Sequence, residues 1–266
     1  MERTINRIKL FVNENEESLT LKRKVEDCFQ KYHFEIVEED YDLAVAIGGD
    51  GAFLRMMHKT DFNSKIYYVG INSGTLGFLQ EIKPNEIELF IARLSNNDFK
   101  LEEISIQETM ITTRKEADIF YSLNDIVIRE KDLNTAHFSL YVDNNLLENF
   151  VGDGILVSTS IGSTAYNLSF GGSIVYGTLH TLQITPIAPL NSKAYRTLHN
   201  SVIIPEDKEI KMIPTGSSNF VLSIDGENKV YKNVIEIKTR VGSKRIFCLR
   251  MNEYNYSDII YEKFLK

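Results

Sequence analysis

Residues 43–57 read LAVAIGGDGAFLRMM: an unbroken apolar run, three glycines around a single carboxylate, then apolar positions at Phe53, Leu54, Met56 and Met57. A short apolar run closed by glycine marks a strand buried on both faces, and the spacing that follows suits a helix. Glycine at such a turn reaches φ values closed to other residues and lets a second molecule approach the backbone. Strand, turn and helix start in that order place the amides of Gly48, Gly49 and Gly51 where anions such as phosphate bind. Asp50 would then stand beside phosphate without binding it directly. A carboxylate in that position needs a metal ion or a proton to accept. The alternative is an aspartate that does no more than cap the helix.

Working outward, Arg7–Val12 reads as a strand, Ser18–Tyr32 as an amphipathic helix, and Phe34–Val37 as a short strand. Then come the strand Leu43–Ile47, a helix to about Lys59, the strand Ile66–Ile71 and a helix-like stretch Pro84–Leu94. This alternation predicts an α/β N-terminal domain with a parallel sheet, whose ligands bind beyond the carboxyl ends of the strands. From near Lys100 the segments shorten and fill with β-branched and aromatic residues: ISIQETMITTR, FYSLNDIVI, FSLYVDNNLLENF, GILVSTS, SVIIP, EIKMI, FVLSIDGENKVYKNVIEIKTR and RIFCLRM. Asp143-Asn144-Asn145 and Asp225-Gly226-Glu227-Asn228 supply hairpin turns, so an all-β C-terminal domain follows.

The chain has 266 residues, enough for two modest cores, and a formal net charge of -7 that argues against a nucleic-acid partner. No segment approaches membrane-spanning length, and the start MERTINRIKLFVNENEESLT turns acidic before any long apolar run, unlike a secretory signal. The two cysteines, Cys28 and Cys248, are far apart and outside metal-ligand spacing. Together these predict a cytoplasmic protein without a membrane partner.

The β-rich half carries its own polar constellation, VGDGILVSTSIGSTAYNLSFGG (151–172), opened by a second Gly-Asp-Gly. Within it Gly162-Ser163-Thr164-Ala165-Tyr166 offers small residues, hydroxyls and an aromatic face, a composition suited to a polar, planar ligand. In LNDIV, Asn124 and Asp125 supply an amide and a carboxylate able to read a ribose or a base edge.

In chain order, GGDGAFL (48–54), GINSGTLGFL (70–79), LNDIVI (123–128), VGDGILVSTSIGSTAYNLSFGG and SIDGE (223–227) resemble the motifs of the NAD kinase family, over roughly residues 40 to 228. The resemblance implies phosphoryl transfer from ATP or inorganic polyphosphate to the 2′-hydroxyl of the adenosine ribose of NAD, giving NADP. It also implies a divalent metal ion, Mg²⁺ by expectation, and a homodimer or homotetramer. The corresponding domains are residues 1–100, an α/β domain carrying GGDG; 101–240, a β domain carrying the NAD-site motifs; and 241–266, a segment returning to the first. Matched motif by motif, Asp50 is the proton acceptor and Gly51 its neighbour at the ligand, with Gly48, Gly49 and Gly51 at the phosphates. Phe78 lines the adenine side, and Asn124 with Asp125 holds NAD. Asp153, Thr164, Ala165, Tyr166, Ser169, Ala188 and Gly226 complete the NAD contacts.

Several positions depart from what family members commonly carry. Ala52 stands in place of Thr, Asp125 in place of Glu, Val151 in place of Arg, and Ser160-Ile161 in place of Pro-Thr. Two rivals follow from the same residues: a related kinase of a lipid or sugar hydroxyl, since GGDG is shared more widely, and a protein that senses NAD or NADP without turnover. GSTAY and LNDIV favour a dinucleotide, and the intact Asp50 favours turnover.

Overall fold

The computed structural model describes residues 5–74 and 77–266. Thr75 and Leu76 of the second glycine motif, and Met1–Thr4 of the acidic start, lie outside the described residues.

The chain forms two compact units, one from the residues up to Ile104 together with Lys244–Lys266, the other Ser105–Ser243. In the first unit β1 (Arg7–Val12) leads to α1 (Glu16–Lys31), β2 (Glu35–Ile36), β3 (Leu43–Gly48), α2 (Asp50–Lys59), β4 (Tyr67–Asn72) and α3 (Ile87–Ser95). Next come β5 (Lys100–Thr113), β6 (Ala117–Ser122), β7 (Asp125–Glu130), β8 (Ala136–Val142), β9 (Asn145–Gly152) and β10 (Gly154–Thr159). A 3-10 turn (Ile161–Thr164) and the single-turn helix α4 (Tyr166–Ser169) precede β11 (Thr181–Ile187), β12 (Val202–Pro205), β13 (Glu209–Pro214), β14 (Phe220–Ile224), β15 (Glu227–Tyr231), β16 (Val234–Arg250) and α5 (Tyr256–Phe264).

The first unit's sheet runs β2-β1-β3-β4 and closes on the last residues of β16, and all these pairs are parallel. Every residue of β3 and β4 is buried, as parallel strands covered on both faces require. α1 starts two residues before Ser18 because Asn15 caps it, its side chain accepting the Ser18 N–H at 3.3 Å, with Glu16 and Glu17 at the positive end of the helix dipole. Val25 and Phe29 of α1 and Ile87, Phe90 and Leu94 of α3 pack with Val45, Ile47, Val69 and Ile71 in one core. The expected strand Phe34–Val37 shortens to β2, which pairs with β1 only at Arg7↔Glu35 and Ile8↔Ile36. Arg245–Met251, grouped by composition with the β-rich half but placed by the family resemblance in a segment returning to the first domain, pairs with β4 through Phe247↔Tyr67 and Cys248↔Tyr68.

The second unit is a sandwich. One sheet is antiparallel in the order β12-β11-β10-β7-β14-β15, and the other contains the first part of β16 followed by β13, β8 and β9. Ile126, Ile128, Ile155, Val157, Phe220 and Leu222 from the first meet Phe138, Phe150, Ile210, Met212 and Ile237 from the second. Each fully buried side chain of this size contributes about 1.5–3 kcal/mol, so this core alone supplies a large part of the unit's stability. Both expected hairpins form with two-residue turns, Asp143-Asn144 between β8 and β9 and Asp225-Gly226 between β14 and β15. Positive φ at Asp225 (47°) and Gly226 (90°) gives the twist such turns need. FYSLNDIVI, read as one segment, is split between β6 and β7 at Leu123-Asn124. β11, which pairs with β10 from Leu182 to Ile187, carries Pro186, a residue that argues against a strand in sequence. It is tolerated because pairing with β12 stops at Ile184.

Candidate functional site

In the first unit the glycine turn ends β3 and opens α2. Gly49 is the N-cap, extended at φ -99° and ψ -173°, and no side chain caps the helix. Asp50 is the first residue of α2, and its carboxylate turns away from the helix: Oδ2 accepts the Phe78 N–H and Oδ1 the Leu79 N–H, each at 2.9 Å. The simple capping reading of Asp50 therefore fails. Gly77 makes the grip possible, because a Cβ there would lie 2.0 Å from Asp50 Oδ1. Gln80, fully buried, adds a bond from its Nε2 to the Gly49 carbonyl at 2.8 Å. GGDG and GFLQ thus form one hydrogen-bonded unit. The Phe78 ring lies against α5, with centroids 5.5 Å from Phe264 and 6.4 Å from Tyr256. Gly49 and Gly51 are exposed, and Gly48 is buried at the end of β3.

The second unit repeats the device. Asp225, in the β14–β15 turn, accepts the backbone N–H groups of Leu123 and Asn124 at 2.8 Å and of Asp125 at 3.2 Å. From the other side Thr159 donates its N–H to the Asn124 carbonyl at 2.9 Å and its hydroxyl to the Leu123 carbonyl at 2.6 Å, and then accepts the Gly162 N–H at 3.0 Å. A Cβ on Gly162 would sit 2.0 Å from the Asn124 carbonyl oxygen, so only glycine lets the GSTAY turn close against LND. Asp125 begins β7 opposite Ser158, is 5% exposed, and has its carboxyl pushed up to about 7, first by burial and then by the Asp225 charge. Near neutrality it is both donor and acceptor, which suits recognition of hydroxyls. Gly226 is exposed beside Asp225.

Asp153 and Ala188 meet where the β9–β10 turn reaches the end of β11. Asp153 donates its N–H to the Ile187 carbonyl at 2.9 Å, and a Cβ on Gly152 would lie 2.9 Å from the Ala188 carbonyl. Ala188 holds φ 43°, a left-handed conformation costly for alanine, and is exposed like Asp153. Thr164 ends the 3-10 turn, Ala165 joins it to α4, and Ser169 lies exposed at the far end of α4. Tyr166 is 45% exposed; its hydroxyl accepts Arg129 Nη2 at 3.2 Å and its ring meets Phe170 edge-on at 4.7 Å. Ser163 is not available as a nucleophile. It is fully buried, its hydroxyl donating to the Val175 carbonyl at 3.2 Å and accepting the Val175 N–H at 3.0 Å.

Sequence reasoning missed Gln80, Arg129 and the side chain of Asp225. Asp225 was hidden by the strength of the Asp-Gly hairpin signal, which accounts for the residue without any long-range role. Arg129 had no motif of its own. Among the departures, Ala52 and Val151 are each 5% exposed, so both face inward. Among the described residues no three His, Cys, Asp or Glu side chains gather as a metal cage, and no helix is long and apolar enough to cross a membrane.

The ATP-NAD kinase N-terminal domain profile matches residues 5–99 and the ATP-NAD kinase C-terminal domain profile residues 123–245. An NAD kinase of Finegoldia magna is 41% identical over 237 residues, covering 85% of this chain and 86% of that protein. An NAD kinase of Streptococcus pneumoniae is 31% identical over 248 residues, covering 92% and 91%. In fold the chain resembles yeast NADH kinase complexed with NADH, at TM-score 0.81 and 20% identity, covering 98% of this chain and 88% of that one. An NAD kinase from Archaeoglobus fulgidus in complex with ATP gives TM-score 0.77 at 20% identity, covering 97% of each chain.

Proposed function

We propose a reaction for this chain, which belongs to the NAD kinase family and is a phosphotransferase: transfer of the terminal phosphoryl group of ATP to the 2′-hydroxyl of the adenosine ribose of NAD, with Asp50 taking the proton. The observation that carries it is the state of the Asp50 carboxylate. Two backbone N–H groups fix its plane. A carboxylate has about four acceptor sites, so each oxygen keeps capacity for a substrate hydroxyl. The relatives' shared description as NAD kinases supports the substrate, and the family's description as ATP-NAD kinases supports the donor.

Phosphoryl transfer asks a protein mainly to position the reactants and neutralise charge. The first-turn amides of α2 at the exposed Gly49 and Gly51 would receive donor phosphates. In the second unit Asn124, Asp125 and the Thr164–Tyr166 turn would hold the dinucleotide, with Asp153, Ser169, Ala188 and Gly226 as further contacts; Phe78, in the first unit, is the residue proposed for the adenine side. A hard divalent ion held by phosphate and water oxygens needs no three-residue protein cage. Such an ion would supply charge neutralisation on the donor oxygens.

The test is direct. Pure protein given NAD, ATP and Mg²⁺ forms NADP; no NADP under varied donors and metals overturns the reading. Polyphosphate in place of ATP settles the donor. We also expect a homo-oligomer, because the second unit leaves β9 and β15 as sheet edges that need pairing or cover, and, from the sequence reading alone, a cytoplasmic location. A monodisperse monomer in light scattering would contradict the oligomer.

A further inference from the structure

The segment that Asp50 grips is itself tied down residue by residue. Phe78 and Leu79 donate to Asp50, and Gln80 to the Gly49 carbonyl. Ile82 is held by β4, its N–H on the Gly70 carbonyl at 3.1 Å and its carbonyl accepting the Asn72 N–H at 2.8 Å. Gly70 leaves room for this, since a Cβ there would lie 2.2 Å from Gln80 Oε1. Between these anchors stands Glu81, with a side chain only 9% exposed. Its Oε1 accepts the Met251 N–H at 2.7 Å and its Oε2 meets Arg250 Nη1 at 3.4 Å. Arg250, the last residue of β16, is itself immobilised: Nε donates to Glu102 at 2.6 Å and the guanidinium lies 4.3 Å from the centre of the Tyr254 ring.

We propose that Glu81 and Arg250 are positioning residues for Asp50, acting through the Phe78–Gln80 backbone that the carboxylate grips. The inference deepens the proposed reaction and rests on it. A base that must meet a hydroxyl at hydrogen-bond distance depends on the angle of its carboxylate, and misplacement by about 1 Å can cost about a hundredfold in rate. The N–H groups of Phe78 and Leu79 set that angle, and their own position is fixed on one side by Gln80 and Ile82 and on the other by Glu81. An unremarkable core would fill the place of Glu81 with an apolar side chain. Here two carboxylates share one nearly buried guanidinium, an arrangement whose desolvation is costly and which is worth keeping only for the geometry it fixes. Burial pushes the Glu81 carboxyl up to about 7 against the pull of Arg250 and the Met251 N–H.

Glu81→Ala and Glu81→Gln test this, with kcat and KM for NAD and hydrogen exchange at the Phe78 and Leu79 amides as readouts. Glu81→Ala is expected to lower kcat about tenfold to a hundredfold while KM for NAD stays within about twofold, and to speed exchange at both amides. Glu81→Gln keeps a carbonyl acceptor for the Met251 N–H and is expected to recover most of the rate. Removing Arg250 outright would leave two buried carboxylates unpaired and endanger folding, so its part is read in Arg250→Lys, which keeps the charge and loses the fork. A folded Glu81→Ala protein with unchanged kcat and unchanged exchange at Phe78 and Leu79 overturns the proposal. So does a common fall in stability in both Glu81 variants without a change in kcat. If the unaltered protein makes no NADP, the parent reading has failed, and the exchange rates alone decide whether Glu81 holds the Asp50 loop.

Discussion

Asp50 and Asp225 use the same local chemistry in different surroundings. Each is an aspartate beside glycine at the end of a strand, and each carboxylate gathers backbone N–H groups from a distant loop: two from Phe78 and Leu79 for Asp50, three from Leu123, Asn124 and Asp125 for Asp225. Asp225 sits in a hairpin turn, and its grip leaves the neighbouring Asp125 buried and raised to about 7. Asp50 sits at a helix start between two exposed glycines, with acceptor capacity left over. The difference teaches that a carboxylate tied to backbone amides is a structural clamp by default. It becomes a candidate for chemistry where the clamp is incomplete and opens onto space a substrate can enter.

The hardest test of that contrast is Asp50→Asn. Asparagine keeps the size but cannot accept a proton at neutral pH and leaves one of the two N–H groups, of Phe78 or Leu79, without its acceptor; NADP formation should fall about 10²–10⁴-fold with NAD binding retained, and hydrogen exchange at these two amides separates loss of the base from loss of the grip. Near-normal turnover in a folded protein would remove Asp50 from the chemistry and make the two clamps equivalent. Asp225→Ala should do the opposite, leaving three N–H groups without their acceptor and lowering stability by about 2–4 kcal/mol, seen in urea unfolding, with weaker NAD binding. A stable Asp225→Ala protein would show that water or another group holds the LND turn.

The glycines sharpen the same comparison at smaller scale. Gly162→Ala forces a Cβ against the Asn124 backbone and should cost about 1–3 kcal/mol in stability. A Cβ on Gly49 meets nothing within 4 Å, so Gly49→Ala should change stability by no more than about 0.5 kcal/mol. If Gly49→Ala nevertheless raises the KM for ATP, the space it fills belongs to the donor. An unchanged KM would take the glycine turn out of phosphate binding.

A further contrast concerns pH. The Asp125 carboxyl is raised from 3.8 to about 7 on folding, so between those values the folded state holds more protons than the unfolded one. This group's contribution therefore lowers stability as pH rises from about 4 to about 7, the reverse of a salt-bridged aspartate. Asp125→Asn should flatten that part of the profile, so that Tm falls less between pH 5 and pH 8 than in the unaltered chain. An unchanged slope of Tm against pH would mean that Asp125 is better solvated than its burial indicates.

The sequence by itself determined the elements and the motifs. Apolar runs closed by glycine gave β3 and β4, and Asp-Asn and Asp-Gly fixed both hairpins, because each depends on neighbours within a few residues; the helix read from Ser18 starts two residues earlier, behind the Asn15 cap. It also set out the glycine turns and the LND and GSTAY segments in an order that resembles one family. Only the tertiary structure decided what the acidic residues hold. Asp50 reaches a loop 28 residues away and Asp225 one 102 residues back, and neither partner offers a side-chain signal, since both are gripped through backbone N–H groups that every residue but proline possesses. The same holds for Gly77 and Gly162, which are glycine because of atoms brought there by the fold, and for β16, whose final residues belong beside β4 despite a composition like the strands before them. Local propensity is written in local sequence; which carboxylate meets which backbone is fixed only when the strands have paired.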